Sequence, residues 1–389
     1  LIAENNVLAR ISFPVFLISL PLTAMNVLLP IFTTRLGLTP VQVTGLFSVF
    51  SLGLVIFRII IGHVSDRVGR KPVFISGIIF YLLSYFIYSK AETIPLIYSA
   101  RGLQSIAAVF ISISTYSMIA DMNNRNNNAH SFGKLNSYTE KGGLVGIALS
   151  FVFLYNNRLV VGWGYLFTAC TLAVIVALIY AIFNTIETKA SPSNSTDIKT
   201  KSLLAPHKSR IVAFNLIARI FTSMVFSIFV LYLQMKFNSD LLEIALAFIL
   251  PSLVSAFASP YIGKVSDNIG AKKAVLASLI MLFVSMLVIS YLGNIYWYGV
   301  VWTIYCIALT MLDVTINSVF VQDIAEESKG MAIGQLTTAA NIGNIIGPII
   351  GGLALQNAGL QSPYLISSLG FIVLFLYSLV KSRNQEIEV

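Results

Sequence analysis

Two acids stand inside apolar stretches long enough to cross a bilayer, Glu140 and Asp313, and four cations share that setting: Arg58, Arg101, Lys141 and Arg219. An ionised group at the centre of a membrane helix costs about 2.5 to 3.5 kcal/mol on insertion scales, so each needs a partner or a task. Withdrawal from water favours the protonated form of a carboxyl, and a neighbouring cation favours the carboxylate. A single acid in a cavity can therefore hold a proton or a cationic ligand, each excluding the other. Glu140 lies about ten residues into its stretch and Asp313 about eight residues from one end, at a depth of ~12 Å for a rise of 1.5 Å per residue. The plain alternative is a permanent ion pair, for instance of Glu140 with Arg101, Lys141 or Arg219.

Other chemistries lack their residues. His63, His130 and His207 all fall in polar breaks, so no haem or zinc constellation forms and no metal site is expected. Cys170 and Cys306 sit in apolar runs and suit packing. With no clustered nucleophile, base or metal set, the spans do not read as an enzyme. A G-x4-G-K-[ST] phosphate cradle is absent, so no cofactor is expected and an ion gradient, most simply of protons, is the economical energy source.

The elements that must position these groups follow from composition. Hydrophobic residues make up 57% of the 389 and charged ones 11%, against roughly a quarter charged in soluble domains. Most of this surface therefore faces lipid. Apolar runs between polar breaks give twelve expected spans, at about 10–32, 42–62, 72–89, 95–120, 131–155, 160–185, 210–234, 240–263, 273–292, 296–320, 330–356 and 362–381. The polar stretch 187–209 reads as a linker between an N-terminal bundle, 1–186, and a C-terminal one, 210–389. At about 23 residues it is the longest break, too short for the soluble domain a sensor would bring.

The net charge of +9 invites a nucleic-acid partner, but the cations are placed otherwise. Seventeen of the 25 Lys and Arg lie at the termini, the linker and the loops on their side, against four on the other. That bias puts both termini and the linker in the cytoplasm of a multi-pass plasma-membrane protein. No nucleic acid is expected. The partners are the lipid bilayer and a small-molecule substrate, with a monomer sufficing.

A repeat runs through the chain. Gly62-His63-Val64-Ser65-Asp66-Arg67-Val68-Gly69-Arg70-Lys71 returns as Gly263-Lys264-Val265-Ser266-Asp267-Asn268-Ile269-Gly270-Ala271-Lys272, 201 residues on. Gly133, Gly142 and Gly146 meet Gly334, Gly343 and Gly347 at the same offset. Small residues four apart let helices approach closely in lipid, and a rocking-hinge role is the other reading. Asn341 is the mate of Glu140.

Gly62-x3-Asp66-Arg67-x-Gly69-Arg70-Lys71 resembles the loop signature between spans 2 and 3 of the major facilitator superfamily. Arg101-x2-Gln104 in span 4 resembles the arginine motif of its twelve-helix drug:proton antiporter branch, with Ser105 where that motif has glycine. In span 5 the branch's glycine pattern is partial; the fuller Gly343-x3-Gly347-Pro348-x2-Gly351-Gly352 lies in span 11. The resemblance implies an all-α membrane protein with twelve transmembrane helices in two pseudo-symmetric six-helix bundles. It further implies that Asp66 latches onto the start of span 11 near Lys329-Gly330 and that Arg70 pairs with Asp121. Arg58, Gly62, Arg67, Gly69 and Asp267 complete the conformational gate, with Gly62 and Gly69 permitting close approach and a tight turn. Arg101 would tune a facing acid, making Glu140, Asp313 and Arg101 the coupling set. Asn26 stands where many such exporters have an acid, so span 1 is not expected to carry the proton.

Asn26, Tyr116, Tyr138, Asn215, Tyr305, Asn317 and Asn341 are expected cavity wall, beside Glu140, Lys141 and Arg219. The function expected is proton-coupled export of amphipathic, cationic or zwitterionic molecules. The alternative is a dedicated metabolite exporter, of a metal-chelating carboxylate or a sugar-linked compound, with Arg101, Lys141 and Arg219 binding anionic groups.

Overall fold

The computed structural model describes residues 2–122, 128–155, 159–188, 206–239, 241–321, 324 and 326–383, and every regular element among them is an α-helix. The first seven are α1 (Ile2–Ile18), α2 (Leu22–Arg35), α3 (Pro40–Val68), α4 (Arg70–Ser89), α5 (Ile94–Met122), α6 (Asn128–Tyr155) and α7 (Leu159–Asn184). Six follow: α8 (Pro206–Phe237), α9 (Leu241–Ile269), α10 (Ala271–Tyr291), α11 (Ile295–Val321), α12 (Glu326–Ala358) and α13 (Ser362–Arg383). With α1 and α2 forming one span, they make the expected twelve. Ten spans are long and apolar enough to cross a membrane among the described residues. A helix is the open-ended structure that satisfies every backbone group within one lipid-exposed segment. Most of the expected linker lies outside the described residues.

The first span is broken, not continuous as expected. Pro21 has no N–H to give and disfavours a helical residue before it. The Leu22 amide then reaches back only to Ser19 O, at 3.1 Å, and the Tyr85 hydroxyl donates to the released Ile18 carbonyl at 2.6 Å.

The repeated signature is not a loop. Helix α3 continues through Gly62 to Val68 and α4 begins at Arg70, so the turn is the single residue Gly69, at φ 111°. Its copy behaves alike: Gly270, at φ 83°, is the only residue between α9 and α10. In both, the glycine amide closes the last helical turn onto a serine carbonyl at 3.1 Å, Ser65 and Ser266. Gly62 departs from expectation, because a Cβ there would meet nothing within 4 Å. Gly69→Ala should therefore cost about 1–3 kcal/mol of backbone strain, whereas Gly62→Ala should stabilise by about 0.5–1 kcal/mol as an ordinary helix position. Thermal unfolding of the two purified variants checks the contrast, and equal midpoints would contradict it.

The chain divides into two compact units, Leu1–Leu38 with Val49–Thr200, and Thr39–Ser48 with Lys201–Val389. The same pairings recur within each. In the first, α4 packs on α5 and α7, and α6 and α7 pack on α1. In the second, α10 packs on α11 and α13, and α12 and α13 pack on α8. The repeated glycines explain part of this. A Cβ on Gly142 or Gly146 would strike the carbonyl of Phe16 or Leu20, and one on Gly343 or Gly347 that of Leu216 or Ile220. Gly133 and Gly334 both face open space. Within the second unit, Ser48 Oγ donates to Ile345 O at 2.7 Å.

Each unit has an aromatic core. Trp163 stacks on Phe32 at 4.0 Å and donates from Nε1 to Tyr88 O at 2.8 Å. Its mate at the repeat offset, Tyr364, shares a hydroxyl–hydroxyl hydrogen bond of 2.9 Å with Tyr298.

Candidate functional site

In the second unit, α8 and α11 bring Arg219 and Asp313 together, Nη2 to Oδ1, at 2.7 Å. Their side chains are 26% and 30% exposed, so the pair is only partly buried. Two turns earlier on α11 is Tyr305, 1% exposed and stacked on Trp302 at 4.8 Å. Its hydroxyl has no hydrogen-bond partner among the described residues. Buried hydroxyls are normally satisfied, and among the described residues Thr185, Gln234, Ser239 and Gln335 also carry an unpaired buried atom, so Tyr305 is a candidate contact on its position near the ion pair and not on this alone.

The other expected residues of this unit divide by role. Asn215 is buried and donates to Leu336 O at 3.2 Å, tying α8 to α12. Asn341 is buried on α12. Asn317 is exposed and turned back on its own helix, donating to Asp313 O at 2.8 Å. Tyr305→Phe should leave stability unchanged or raise it by about 1 kcal/mol, since it removes an unpaired buried hydroxyl. If that hydroxyl meets cargo, KM should rise with kcat little altered. Initial-rate transport kinetics on the variant read this, and an unchanged KM would remove Tyr305 from the site.

In the first unit, Arg101 is buried on α5. Its Nη1 donates to Gln104 Oε1 at 2.7 Å and its guanidinium lies 4.4 Å over the Phe50 ring. The Tyr88 hydroxyl shares the same acceptor at 3.5 Å. At the repeat offset Arg101 and Gln104 become Trp302 and Tyr305, so a polar pair in one unit is an aromatic stack in the other. Glu140 is exposed on α6 and makes no ion pair or hydrogen bond among the described residues. Its suggested partners are engaged elsewhere: Arg101 with Gln104, Arg219 with Asp313, and Lys141 over the Tyr138 ring at 5.3 Å. Among the described residues, Glu140 therefore forms no permanent pair with Arg101, Lys141 or Arg219. Tyr116 donates to Asn136 Oδ1 at 3.3 Å and packs edge-on against Phe132 at 5.0 Å. Arg58 is half-buried on α3. Asn26 is half-buried on α2.

The gate residues form a charge cluster around the α3–α4 turn. Arg70 donates from Nη1 to Asp66 at 2.7 Å and to Ser65 Oγ at 3.1 Å, and from Nε to Asp121 Oδ2 at 3.1 Å. Asp66 remains 70% exposed and Arg67 is exposed. The side chains of its expected partner near Lys329-Gly330 lie outside the described residues. Sequence reasoning missed Glu187, treated as linker. Its carboxylate accepts from the Arg70 and Lys71 amides at 2.9 and 3.1 Å, capping the exposed donors at the start of α4. In the second copy Asp267 is exposed and Ala271 replaces Arg70, while Ser266 hydrogen-bonds Thr315 at 2.7 Å.

Twelve spans in two units with recurring helix pairings, and ionisable groups set within them, define a membrane transporter. The Major Facilitator Superfamily profile matches residues 11–235 and 211–388, and the chain belongs to that family. It is 23% identical over 356 residues, 90% of each chain, to the quinolone resistance protein NorA of Staphylococcus aureus. It is 24% identical over 333 residues, 83% of each, to multidrug resistance protein 1 of Bacillus subtilis. Among solved structures, a bacterial homolog of the human lysosomal transporter Spinster matches with TM-score 0.80 at 16% identity, over 97% of this chain and 96% of that one. The human organic anion transporter MFSD10 matches with TM-score 0.67 at 16% identity, over 96% and 99%.

Proposed function

We propose that the protein is a proton-coupled antiporter that exports amphipathic, cationic or zwitterionic small molecules across the plasma membrane by alternating access, with both termini cytoplasmic. The observation that carries this reading is the Arg219–Asp313 pair, partly exposed within the spans, with the Tyr305 side chain two turns away on α11. A proton arriving on Asp313 neutralises the carboxylate and releases Arg219. A cationic cargo competes with that proton for the same oxygen atoms. Cargo and proton then occupy the site in turn, and the bundles rock between the two faces of the membrane around it. The names of the resistance proteins it resembles support the cargo class.

A second reading, export of an anionic metabolite, draws on Lys141. It is exposed on α6 with its ammonium over Tyr138 and no carboxylate against it among the described residues. Proteoliposomes with an acidic interior distinguish the two. Uptake of the hydrophobic cation ethidium that collapses on adding a proton ionophore supports the proposal. Gradient-dependent movement of an amphipathic carboxylate alone supports the second reading, and movement of both solutes independent of the gradient overturns proton coupling.

A further inference from the structure

On the second unit, α8 and α13 enclose a groove of about 620 Å³ that the transport site does not use. Phe214, Ile217 and Phe221 form one wall, with Leu369, Val373 and Tyr377 opposite. Gly370 lets α13 lie directly against the Phe221 ring at the groove's floor, where a Cβ would strike it. The groove is apolar apart from one end, and Arg210 is the charged residue among those that line it. Arg210 is exposed and forms no ion pair among the described residues.

The helices run antiparallel here, since Ser367 Oγ donates to Phe221 O at 3.0 Å while Tyr377 lines the groove with Arg210. Arg210 and Tyr377 therefore mark the same end. From Arg210 to Phe221 the groove follows eleven residues of α8, ~16 Å at 1.5 Å per residue. That is about half of the ~30 Å hydrocarbon core, the depth of one leaflet. A cation at the rim, a tyrosine at headgroup level and one leaflet of apolar wall match a single amphiphile with an anionic head. The sequence adds Lys381 and Arg383 on α13, just beyond Tyr377.

We propose that this groove binds one anionic phospholipid, with its phosphate on Arg210 and an acyl chain laid between α8 and α13. The leaflet, cytoplasmic, rests on the orientation proposed above; the binding itself does not. A transported cargo would find no polar group along these walls to orient it, and a free anion would leave them empty.

Native mass spectrometry of the delipidated full-length protein tests this with phosphatidylglycerol, phosphatidylcholine and inorganic phosphate as probes. Wild type should retain one phosphatidylglycerol about fivefold better than phosphatidylcholine, the ratio one cation gives at a charged headgroup. Arg210→Gln should erase that preference. Ala213→Trp, which fills the groove from an exposed position, should reduce retention of both lipids. The proposal is overturned by equal retention of the two lipids in wild type, by an Arg210→Gln protein that keeps the preference, or by inorganic phosphate displacing the lipid. A dimer forming through this face in place of lipid overturns it too. Loss of transport coupling has no bearing on any of these readouts.

Discussion

Asp313→Asn is expected to lower proton-driven transport about a hundredfold or more, within the range that positioned proton-transfer groups contribute, while the protein still inserts and folds. Asparagine keeps an oxygen for the Arg219 guanidinium but cannot carry a proton. What it removes is the counter-charge. Breaking a fully buried pair costs 3–5 kcal/mol, but both side chains here are 26–30% exposed, so about 1–2 kcal/mol is expected. Arg219→Gln in the Asp313→Asn background should recover that stability, because the orphaned cation goes with it. Transport should stay lost. Thermal unfolding and gradient-driven uptake, measured on the single and double variants, separate the two roles. A double variant that regains proton-driven uptake would reduce the pair to an interhelical strut.

Glu140→Gln should also remove gradient-driven transport, with a different stability signature. Glu140 is exposed and makes no ion pair or hydrogen bond among the described residues, so its neutralisation should shift stability by no more than about 0.5 kcal/mol. An acid in an expected membrane span without a structural partner is a candidate for binding a proton or cargo. Exchange of labelled for unlabelled cargo at equilibrium needs no net proton movement and should survive. Full gradient-driven uptake by Glu140→Gln would leave Asp313 as the sole proton carrier of the two.

The spans were legible because hydropathy is read over some twenty residues at a time and tolerates local detail. The repeat was legible because one offset recurred at independent places. Turns were less so. The α3–α4 connection looked like a ten-residue polar loop, yet helix continues through its charged residues, because a membrane helix emerging into water keeps its hydrogen bonds. Only Gly69, at φ 111°, breaks it. The break at Pro21 was not anticipated, and the Tyr85 hydroxyl that stabilises it comes from 64 positions away and has no local signal.

The candidate site was legible as residues and not as pairs. Ionisable groups in apolar runs singled out Arg219 and Asp313, but helical spacing within one span cannot say which acid a cation on another span will meet. Glu140 was offered three cations and took none. Glu187 hid in the linker because its partners are backbone amides 117 and 116 positions away. One signal went unread: the repeat offset turns Arg101 and Gln104 into Trp302 and Tyr305. That substitution alone shows the two units do not share one charge arrangement.

Movement of protons against cargo is the central requirement, and it is directly measurable. Proteoliposomes of the purified protein would be loaded with ethidium and diluted into weakly buffered medium with no imposed pH gradient. Cargo leaving through the wild type should draw protons inward, so a pH electrode should record alkalinisation of the medium, absent in Asp313→Asn. Ethidium efflux through the wild type with no change in external pH would contradict proton-coupled antiport.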